Sequence, residues 1–138
     1  MLSLALLRHA KSSWDASDLD DFDRPLNARG RSAAPVMGEA LREFPFAPEI
    51  ILCSPAKRTR ETLHLIDPKL SEPRDDVVFE DQLYLTNAET LLDRLRRVPA
   101  PAKTVLMVGH NPGLHELALQ LAGRGDAIVL ASMADTAG

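Results

Sequence analysis

The chain of 138 residues is poor in cysteine, in aromatic residues and in long apolar stretches, and each of these absences excludes a class of protein or limits its core. It has a single cysteine, Cys53, so no internal disulfide framework holds it together. Only 4% of its residues are aromatic, so we expect a core made mainly of Leu, Ala, Val and Ile. No apolar stretch approaches the roughly 18 residues of a membrane span. The apolar run Leu2 to Leu7 is also too short for a secretory signal.

An excess of positive charge is absent as well. The 16 Lys and Arg residues are outnumbered by 20 Asp and Glu residues, which gives a formal net charge of −4. This balance argues against a general nucleic-acid or membrane-surface binder. The length fits one domain, residues 1–138, which can bury enough surface to fold without a disulfide or a metal. We therefore expect a single-domain, cytoplasmic protein.

Short apolar runs alternate along the chain with helical patterns. The runs at residues 3–7, 49–53 and 104–108 are typical of strands buried on both faces, and residues 77–79 form a weaker candidate. Residues 127–130 are compatible with a strand or a helix. The alternation predicts an α/β fold, a three-layer α/β/α sandwich around a mostly parallel sheet.

Four signals mark where the intervening helices begin. Asn27 can cap the first helix, which contains Pro35 and should therefore be kinked or split. Ser54-Pro55 has the form of a cap followed by the first helical residue. Residues Thr86 to Glu89 have the spacing of a capping box. Asn111-Pro112 repeats the signal of a cap followed by proline.

In such a sheet, ligands bind beyond the carboxyl ends of the strands. The segments that follow the predicted strands are residues 8–10, 54–58, 80–84 and 109–111. Three of them carry cationic or potentially cationic side chains, which are Arg8, His9, Lys57, Arg58 and His110, and Arg60 follows just beyond the second of these segments. Guanidinium groups and helix N-termini both favour anions, so this edge fits a phosphate-sized dianion.

The histidines at this edge also suggest phosphoryl transfer as the reaction at such a site. A neutral imidazole nitrogen can accept a phosphoryl group and later release it to water. The charge on the transferring group must be stabilised, and two arginines with a second histidine would do so. No segment resembles an Asp-rich magnesium site, so the cationic side chains would take the role of a metal.

Three ordered motifs resemble a known family. Leu7-Arg8-His9-Ala10 resembles the first signature of the histidine phosphatase superfamily, residues Ser54 to Thr62 resemble its second block, and Val108 to Pro112 resemble its third. Residues 8–14 and Arg24-Pro25-Leu26, followed by Gly30, are similar to the small SixA-type phosphohistidine phosphatases. The resemblance implies a phosphoglycerate mutase-like fold.

The resemblance also implies roles for individual residues. His9 would be the phosphorylated nucleophile, while Arg8, Arg58 and His110 would complete the phosphate pocket. Backbone N–H groups near Asn111 would assist in binding, and no metal or cofactor would be needed. The implied substrate is phosphohistidine on a protein. The alternatives are a small-molecule phosphomonoesterase and a phosphate-binding module without turnover.

The chain departs from the family pattern at two places. Many relatives carry Asn six residues after the nucleophile, where this chain has Asp15. Larger relatives have a clear Glu general acid after the third strand, where this chain offers Glu80 and Asp81 without a pattern that selects one. A missing strong acid would favour an activated substrate such as phosphohistidine. The acidic run at residues 15–23 is most simply a solvated loop.

Other candidates have simpler interpretations. Cys53 and Arg58 are separated by four residues, whereas the loop of a cysteine-based phosphatase requires five, so Cys53 is interpreted as a core residue. Lys57 and Arg60 are expected on the surface. His64 is interpreted as structural, and the spacing between His110 and His115 does not suit a shared zinc ion.

The C-terminal part is short compared with the family. Relatives usually continue into one more hairpin or edge strand, whereas this chain stops at Thr136-Ala137-Gly138. A missing strand would leave an edge of the sheet unpaired, and exposed edges pair with other chains. We therefore expect either a homodimer contact or disorder near the C-terminus.

Overall fold

A computed structural model describes residues 3–9, 13, 20–42, 48–66, 76–99, 101–121 and 127–131. These ranges contain strands and helices in alternation: β1 (Ser3–Arg8), α1 (Ala28–Arg42), β2 (Ile50–Cys53), α2 (Lys57–Ile66), β3 (Val77–Phe79), α3 (Ala88–Arg96), β4 (Thr104–Gly109), α4 (Gly113–Leu121) and β5 (Ala127–Ala131). Short 3-10 turns at Asp21–Asp23 and Asp81–Leu83 precede α1 and α3. The predicted alternation is confirmed, and the ambiguous segment at residues 127–130 is a strand.

The strands form one parallel sheet in the order β3-β2-β4-β1-β5. β1 and β4 lie next to each other over their whole lengths, from Ser3 opposite Thr104 to Arg8 opposite Gly109. Because the strands are parallel, their carboxyl ends share one edge of the sheet. This topology brings the segments after β1, β2 and β4 side by side.

Alternate strand residues face opposite sides of the sheet, as the two-residue period of a strand requires. Ala5 and Leu7 belong to a cluster with buried residues of α1 and α2. Leu4 and Leu6 belong to a second cluster with buried residues of α3 and α4. The sheet is thus covered by two helices on each face, and the predicted α/β/α sandwich is confirmed.

The helix start predicted at Asn27 is confirmed, whereas α4 begins at Gly113, one residue later than Asn111-Pro112 predicts. The side-chain oxygen of Asn27 accepts from the backbone N–H of Gly30 at 2.8 Å. That of Asn111 accepts from the N–H of His115 at 3.1 Å. The expected split at Pro35 is wrong, because α1 runs through this residue. Pro35 is exposed, so water can satisfy the carbonyl group that loses its usual N–H partner.

The other two starts need correction. α2 begins at Lys57, three residues after Ser54, and the side chain of Ser54 instead contacts His110. The cap of α3 is Asn87 and not Thr86, because the Asn87 side chain accepts from the N–H of Thr90 at 2.9 Å. Asn is at least as good a cap as Thr, so the start moves by one residue.

Some predictions fall outside this part of the chain. Residues 15–19 and 132–138 are not among the described residues, so the expectations of a solvated acidic segment and of a homodimer contact or disorder near the C-terminus stay predictions there. Within the described residues, no helix has both the length and the apolar character needed to cross a membrane.

Candidate active site

The strand ends are tied together by main-chain hydrogen bonds. The N–H of His9, directly after β1, donates to the carbonyl of Gly109 in β4 at 3.1 Å. The N–H of Ser54, directly after β2, donates to the carbonyl of Val108 at 3.0 Å. The rings of His9 and His110 consequently lie 5.3 Å apart between centroids, and both residues are buried.

Arg58 enters this site from the first turn of α2. It is only 1% exposed, and its Nε donates to His9 Nε2 at 3.4 Å. A guanidinium N–H can only donate, so His9 presents the lone pair of Nε2 at this contact. A neutral His9 in this orientation has the electron pair that a nucleophile needs.

Asp21 is a site residue that the sequence interpretation missed. Its carboxylate accepts from Arg58 at 2.9 Å, from Arg24 at 2.8 Å and from the Tyr84 hydroxyl at 2.6 Å. Its main-chain carbonyl accepts from Arg58 at 2.6 Å. The interpretation of the acidic run as a solvated loop is therefore wrong at Asp21. The available signal was the spacing of three residues between Asp21 and Arg24, which permits an ion pair on one turn.

The contacts of Asp21 determine its ionisation. Burial alone would raise the pKa of this carboxyl. The hydrogen bonds from Tyr84, Arg24 and Arg58, together with the charge of Arg58, outweigh burial and hold the pKa well below its ordinary value of 3.8. Asp21 is therefore a carboxylate at all working pH values, and it partly neutralises the arginines beside it.

Tyr84, the second missed residue, links Asp21 to His110. Its ring meets the ring of His110 edge-on at 5.5 Å and the ring of Phe22 edge-on at 5.1 Å. The Arg58 guanidinium carbon lies 5.9 Å from the centre of the Tyr84 ring. Burial and the neighbouring Asp21 carboxylate raise the pKa of the Tyr84 hydroxyl, so the phenol stays protonated and donates a hydrogen bond to Asp21.

His110 is held in a neutral form. Its Nε2 lies 2.7 Å from the Ser54 hydroxyl, and the residue is 5% exposed. Burial is the largest cause that lowers the pKa of His110 from 6.5 to about 3; repulsion from His9 when that ring is protonated, and from the positive charge of Arg58, lowers it further. Among the described residues, its Nδ1 is buried and has no hydrogen-bond partner.

Arg8 ends β1, opposite Gly109, and is half-buried. Its Nε is also buried and lacks a hydrogen-bond partner within the described ranges. A buried polar atom without a partner costs about 1–3 kcal/mol. A bound oxyanion would supply acceptors for Arg8 Nε and, if Nδ1 carries a proton, for His110.

The remaining predicted site residues are placed differently. The Glu80 carboxylate is paired with Arg94 and accepts from Gln82 at 3.2 Å. Asp81 is exposed at the first position of the 3-10 turn Asp81–Leu83. Asn111 is exposed and caps α4 through its side-chain oxygen. The structure thus brings His9, Arg58 and His110 into one buried cluster and gives Glu80 partners of its own.

The simpler interpretations of Cys53, Lys57 and Arg60 agree with the structure, whereas that of His64 as structural stays a prediction. Cys53 is fully buried in the core, and burial raises the pKa of its thiol. Lys57, Arg60 and His64 are exposed on α2. In the described part of the chain, no three His, Cys, Asp or Glu side chains gather as they would around a metal ion.

The sequence profile of the histidine phosphatase superfamily (branch 1) matches residues 4–84, which is more than half of the chain. The chain belongs to the histidine phosphatase superfamily. Within this superfamily it resembles the SixA type, and its fold is that of the phosphoglycerate mutase-like members. The described cluster of His9, Arg58 and His110 therefore lies on the fold that the three motifs implied.

Individual relatives support this membership. An uncharacterised chloroplastic protein of Arabidopsis thaliana is 36% identical over 128 residues, which cover 87% of this chain and 59% of that protein. A candidate phosphohistidine phosphatase SixA from Agrobacterium tumefaciens has a TM-score of 0.74 and 32% identity, covering 84% of this chain and 74% of its own. The protein histidine phosphatase SixA in complex with tungstate has the same fold, with a TM-score of 0.72, 24% identity, and coverage of 84% of this chain and 74% of that structure.

Proposed function

We propose that this histidine phosphatase superfamily member is a phosphatase that hydrolyses phosphohistidine on a protein through a phospho-His9 intermediate. The observation that carries the proposal is the contact between Arg58 Nε and His9 Nε2. This contact places the Nε2 lone pair of His9, a potential nucleophile, next to the guanidinium group of Arg58. A phosphoryl group there would meet its attacking atom and its charge partner together.

In the first half-reaction, His9 Nε2 attacks phosphorus and a new P–N bond forms. The bond from phosphorus to the substrate's imidazole nitrogen breaks; that ring, already protonated on its other nitrogen, takes the electron pair and leaves as neutral imidazole. In the second half-reaction, water attacks phospho-His9, inorganic phosphate is released, and His9 regains its lone pair. The two half-reactions together return the enzyme to its starting state.

The charge of the cluster suits a phosphoryl dianion. Arg24 and Arg58 with the Asp21 carboxylate leave a net charge of one positive while His110 is neutral, and Arg8, at the end of β1, adds a second positive charge at the same edge of the sheet. Fixed positive groups in a buried site stabilise charge on a transferring phosphoryl group without reorganising. In the proposed mechanism they act in place of a metal ion, so activity should survive treatment with EDTA.

The acid–base groups favour a substrate with a good leaving group. Asp21 is held as a carboxylate by two arginines and a tyrosine, so it has no proton to give. Glu80 is paired with Arg94. A protonated imidazole leaves more readily than an alkoxide, so phosphohistidine makes the smaller demand on a general acid. Glu80 and Asp81 keep that role as a proposal, for substrates that need it.

The central experiment compares the wild type with His9→Ala on a phosphohistidine peptide and on para-nitrophenyl phosphate. We expect His9→Ala to abolish turnover of both, whereas His115→Ala, which changes an exposed histidine, should match the wild type. Rapid quenching should trap one acid-labile phosphoryl group on wild type and none on His9→Ala. Retained activity in His9→Ala would exclude the nucleophile. Tight phosphate binding by a wild type without turnover would favour a binding module.

The substrate class is tested by Glu80→Gln and Asp81→Asn, each assayed on an alkyl phosphate and on a phosphoramidate. We expect any loss to be larger on the alkyl phosphate, because its leaving group needs the stronger acid. Equal large losses on both substrates would contradict the preference for P–N bonds. A homodimer and a cytoplasmic location stay predictions, and light scattering of the purified chain would test the first.

A further inference from the structure

Ser54, in the loop between β2 and α2, is fully buried and is held by hydrogen bonds of its main chain. It has no exposed surface, its N–H donates to Val108 at 3.0 Å, and its carbonyl accepts from the Thr59 hydroxyl at 2.7 Å. The main chain on both sides of its side chain is therefore held in place. Its hydroxyl oxygen lies 2.7 Å from His110 Nε2.

The direction of that hydrogen bond follows from a count of donors and acceptors. The backbone N–H of Ala56 donates to the Ser54 hydroxyl oxygen at 3.4 Å, and a backbone N–H can only donate. The hydroxyl proton then needs an acceptor, and in the described part of the chain His110 Nε2 is the one in contact. If Nε2 instead carried a proton, the buried hydroxyl proton would lose its acceptor, at a cost of about 1–3 kcal/mol.

We propose that Ser54 is a positioning residue that holds neutral His110 in the tautomer protonated at Nδ1, so that Nδ1–H donates to the transferring phosphoryl group. A neutral imidazole whose Nε2 accepts must carry its proton on Nδ1. That atom is buried and has no partner among the described residues, as expected of a donor that awaits a ligand oxygen. The donation to phosphoryl rests on the function proposed above, whereas the tautomer does not.

The surroundings of His110 keep it neutral in the absence of substrate. Five titratable or charged side chains face it, from the residue after β1, from α2, and from the segments that precede α1 and α3. They are His9, Arg58, Asp21, Arg24 and Tyr84. Burial, the charges of Arg58 and Arg24, and that of His9 when it is protonated outweigh the single carboxylate, and they hold the pKa of His110 at about 3. A charged His110 is therefore not available as the donor in the empty site, and the tautomer decides which nitrogen can donate.

The first test determines the tautomer of His110 by NMR in the full chain without substrate. Long-range proton–nitrogen NMR spectra of the ¹⁵N-histidine-labelled protein distinguish a protonated ring nitrogen from a bare one. The His110 signal is assigned by replacing the other three histidines singly. At pH 7.5 we expect a proton on Nδ1 in wild type and a mixture of tautomers in Ser54→Ala. A wild-type His110 protonated at Nε2 would overturn the proposal, whether or not the protein is a phosphatase.

The second test uses the pH profile of turnover. Ser54→Ala frees Nε2 to carry the proton, which turns Nδ1 into an acceptor that faces the phosphoryl oxygens. We expect kcat to fall about 100-fold at pH 8, the scale of losing one such donor. A bound dianion favours the charged imidazole, which carries protons on both nitrogens, so the loss should shrink towards pH 5. A loss that is the same at every pH would contradict the role of Ser54.

Matched variants separate positioning from structural damage. Thr59→Val removes a neighbouring buried hydroxyl that contacts the Ser54 carbonyl but not His110. It should leave the tautomer unchanged, and any loss of activity should be uniform in pH. Ser54→Thr keeps the hydroxyl and should restore the wild-type tautomer. A tautomer change in Thr59→Val equal to that in Ser54→Ala would count against a specific role for Ser54. If wild type gives the expected tautomer but shows no turnover, the proposed function fails and the tautomer assignment stands.

Discussion

Asp21 holds Arg58 at two points, because its main-chain carbonyl accepts from one terminal guanidinium nitrogen at 2.6 Å and its carboxylate accepts from the other at 2.9 Å. The paired contacts fix the plane of the guanidinium group, since neither nitrogen can turn without losing a bond. Nε then points to His9 as a consequence of how Asp21 binds the other end.

This arrangement predicts that replacing Asp21 lowers turnover although the substitution removes a negative charge from beside a phosphate site. We expect Asp21→Asn to lower kcat about 10-fold and Asp21→Ala about 100-fold, because Arg58 loses its orientation. KM should not rise, since the site becomes more positive. Steady-state kinetics on para-nitrophenyl phosphate separates the two parameters. Asp23→Asn, in the same turn and exposed, is the control. A normal kcat in Asp21→Ala would show that Arg58 keeps its orientation without Asp21.

His110 predicts a pH dependence of stability. Its pKa is about 3 in the folded chain and near 6.5 when unfolded, so the unfolded state binds the additional proton between these values. The stabilisation is complete above pH 6.5 and is lost as the pH falls towards 3. Between pH 7.5 and 5.0 the loss should be about 2 kcal/mol.

Urea unfolding of wild type and His110→Gln at both pH values measures this contribution. The variant should lose about 2 kcal/mol less than wild type over the interval, and the exposed His115→Gln should behave as wild type. At pH 5.0 the carboxyl of Asp21, whose ordinary pKa is 3.8, stays ionised in both states and does not contribute. Identical losses in wild type and His110→Gln would mean that His110 is not held neutral.

Gly113, at the start of α4, should not tolerate a side chain. A Cβ atom there would lie 2.3 Å from the main-chain oxygen of Thr86, and a backbone atom cannot move aside cheaply. We expect Gly113→Ala to lower the free energy of unfolding by about 1–3 kcal/mol. Gly109→Ala is the matched control, because its Cβ would meet Leu114 at an ordinary 3.7 Å. Equal midpoints of urea unfolding for the two variants would contradict the close approach.

Cys53 should be inert in the folded protein. It is fully buried, its Sγ donates to the carbonyl of Ser54 at 3.3 Å, and burial raises the pKa of the thiol, so little thiolate is available. Iodoacetamide should leave the native chain unmodified by mass spectrometry and should modify it fully in urea. Phosphatase activity should be unchanged after the native treatment. Rapid alkylation with loss of activity would revive a cysteine-based mechanism.

The strands could be predicted because parallel strands are buried on both faces and therefore appear as continuous apolar runs. His9, Arg58 and His110 could be predicted because each stands in a motif close behind such a run. Asp21 could not, since one carboxylate in an acidic segment looks like its solvated neighbours until the fold brings Arg58 to it. Tyr84 is a single aromatic residue without periodicity. The predicted cap of α3 was wrong by one residue because Thr86 and Asn87 are both good caps.

The two histidines lie directly after two neighbouring interior strands of the sheet, β1 and β4, each of which is paired on both sides. Backbone amides at such positions exchange with deuterium mainly through opening of the whole domain. We therefore expect no local unfolding that separates His9 from His110 before the whole domain unfolds. On heating or in denaturant, their geometry should persist until the cooperative transition, and deuterium uptake in β1 and β4 should rise together with the loss of activity.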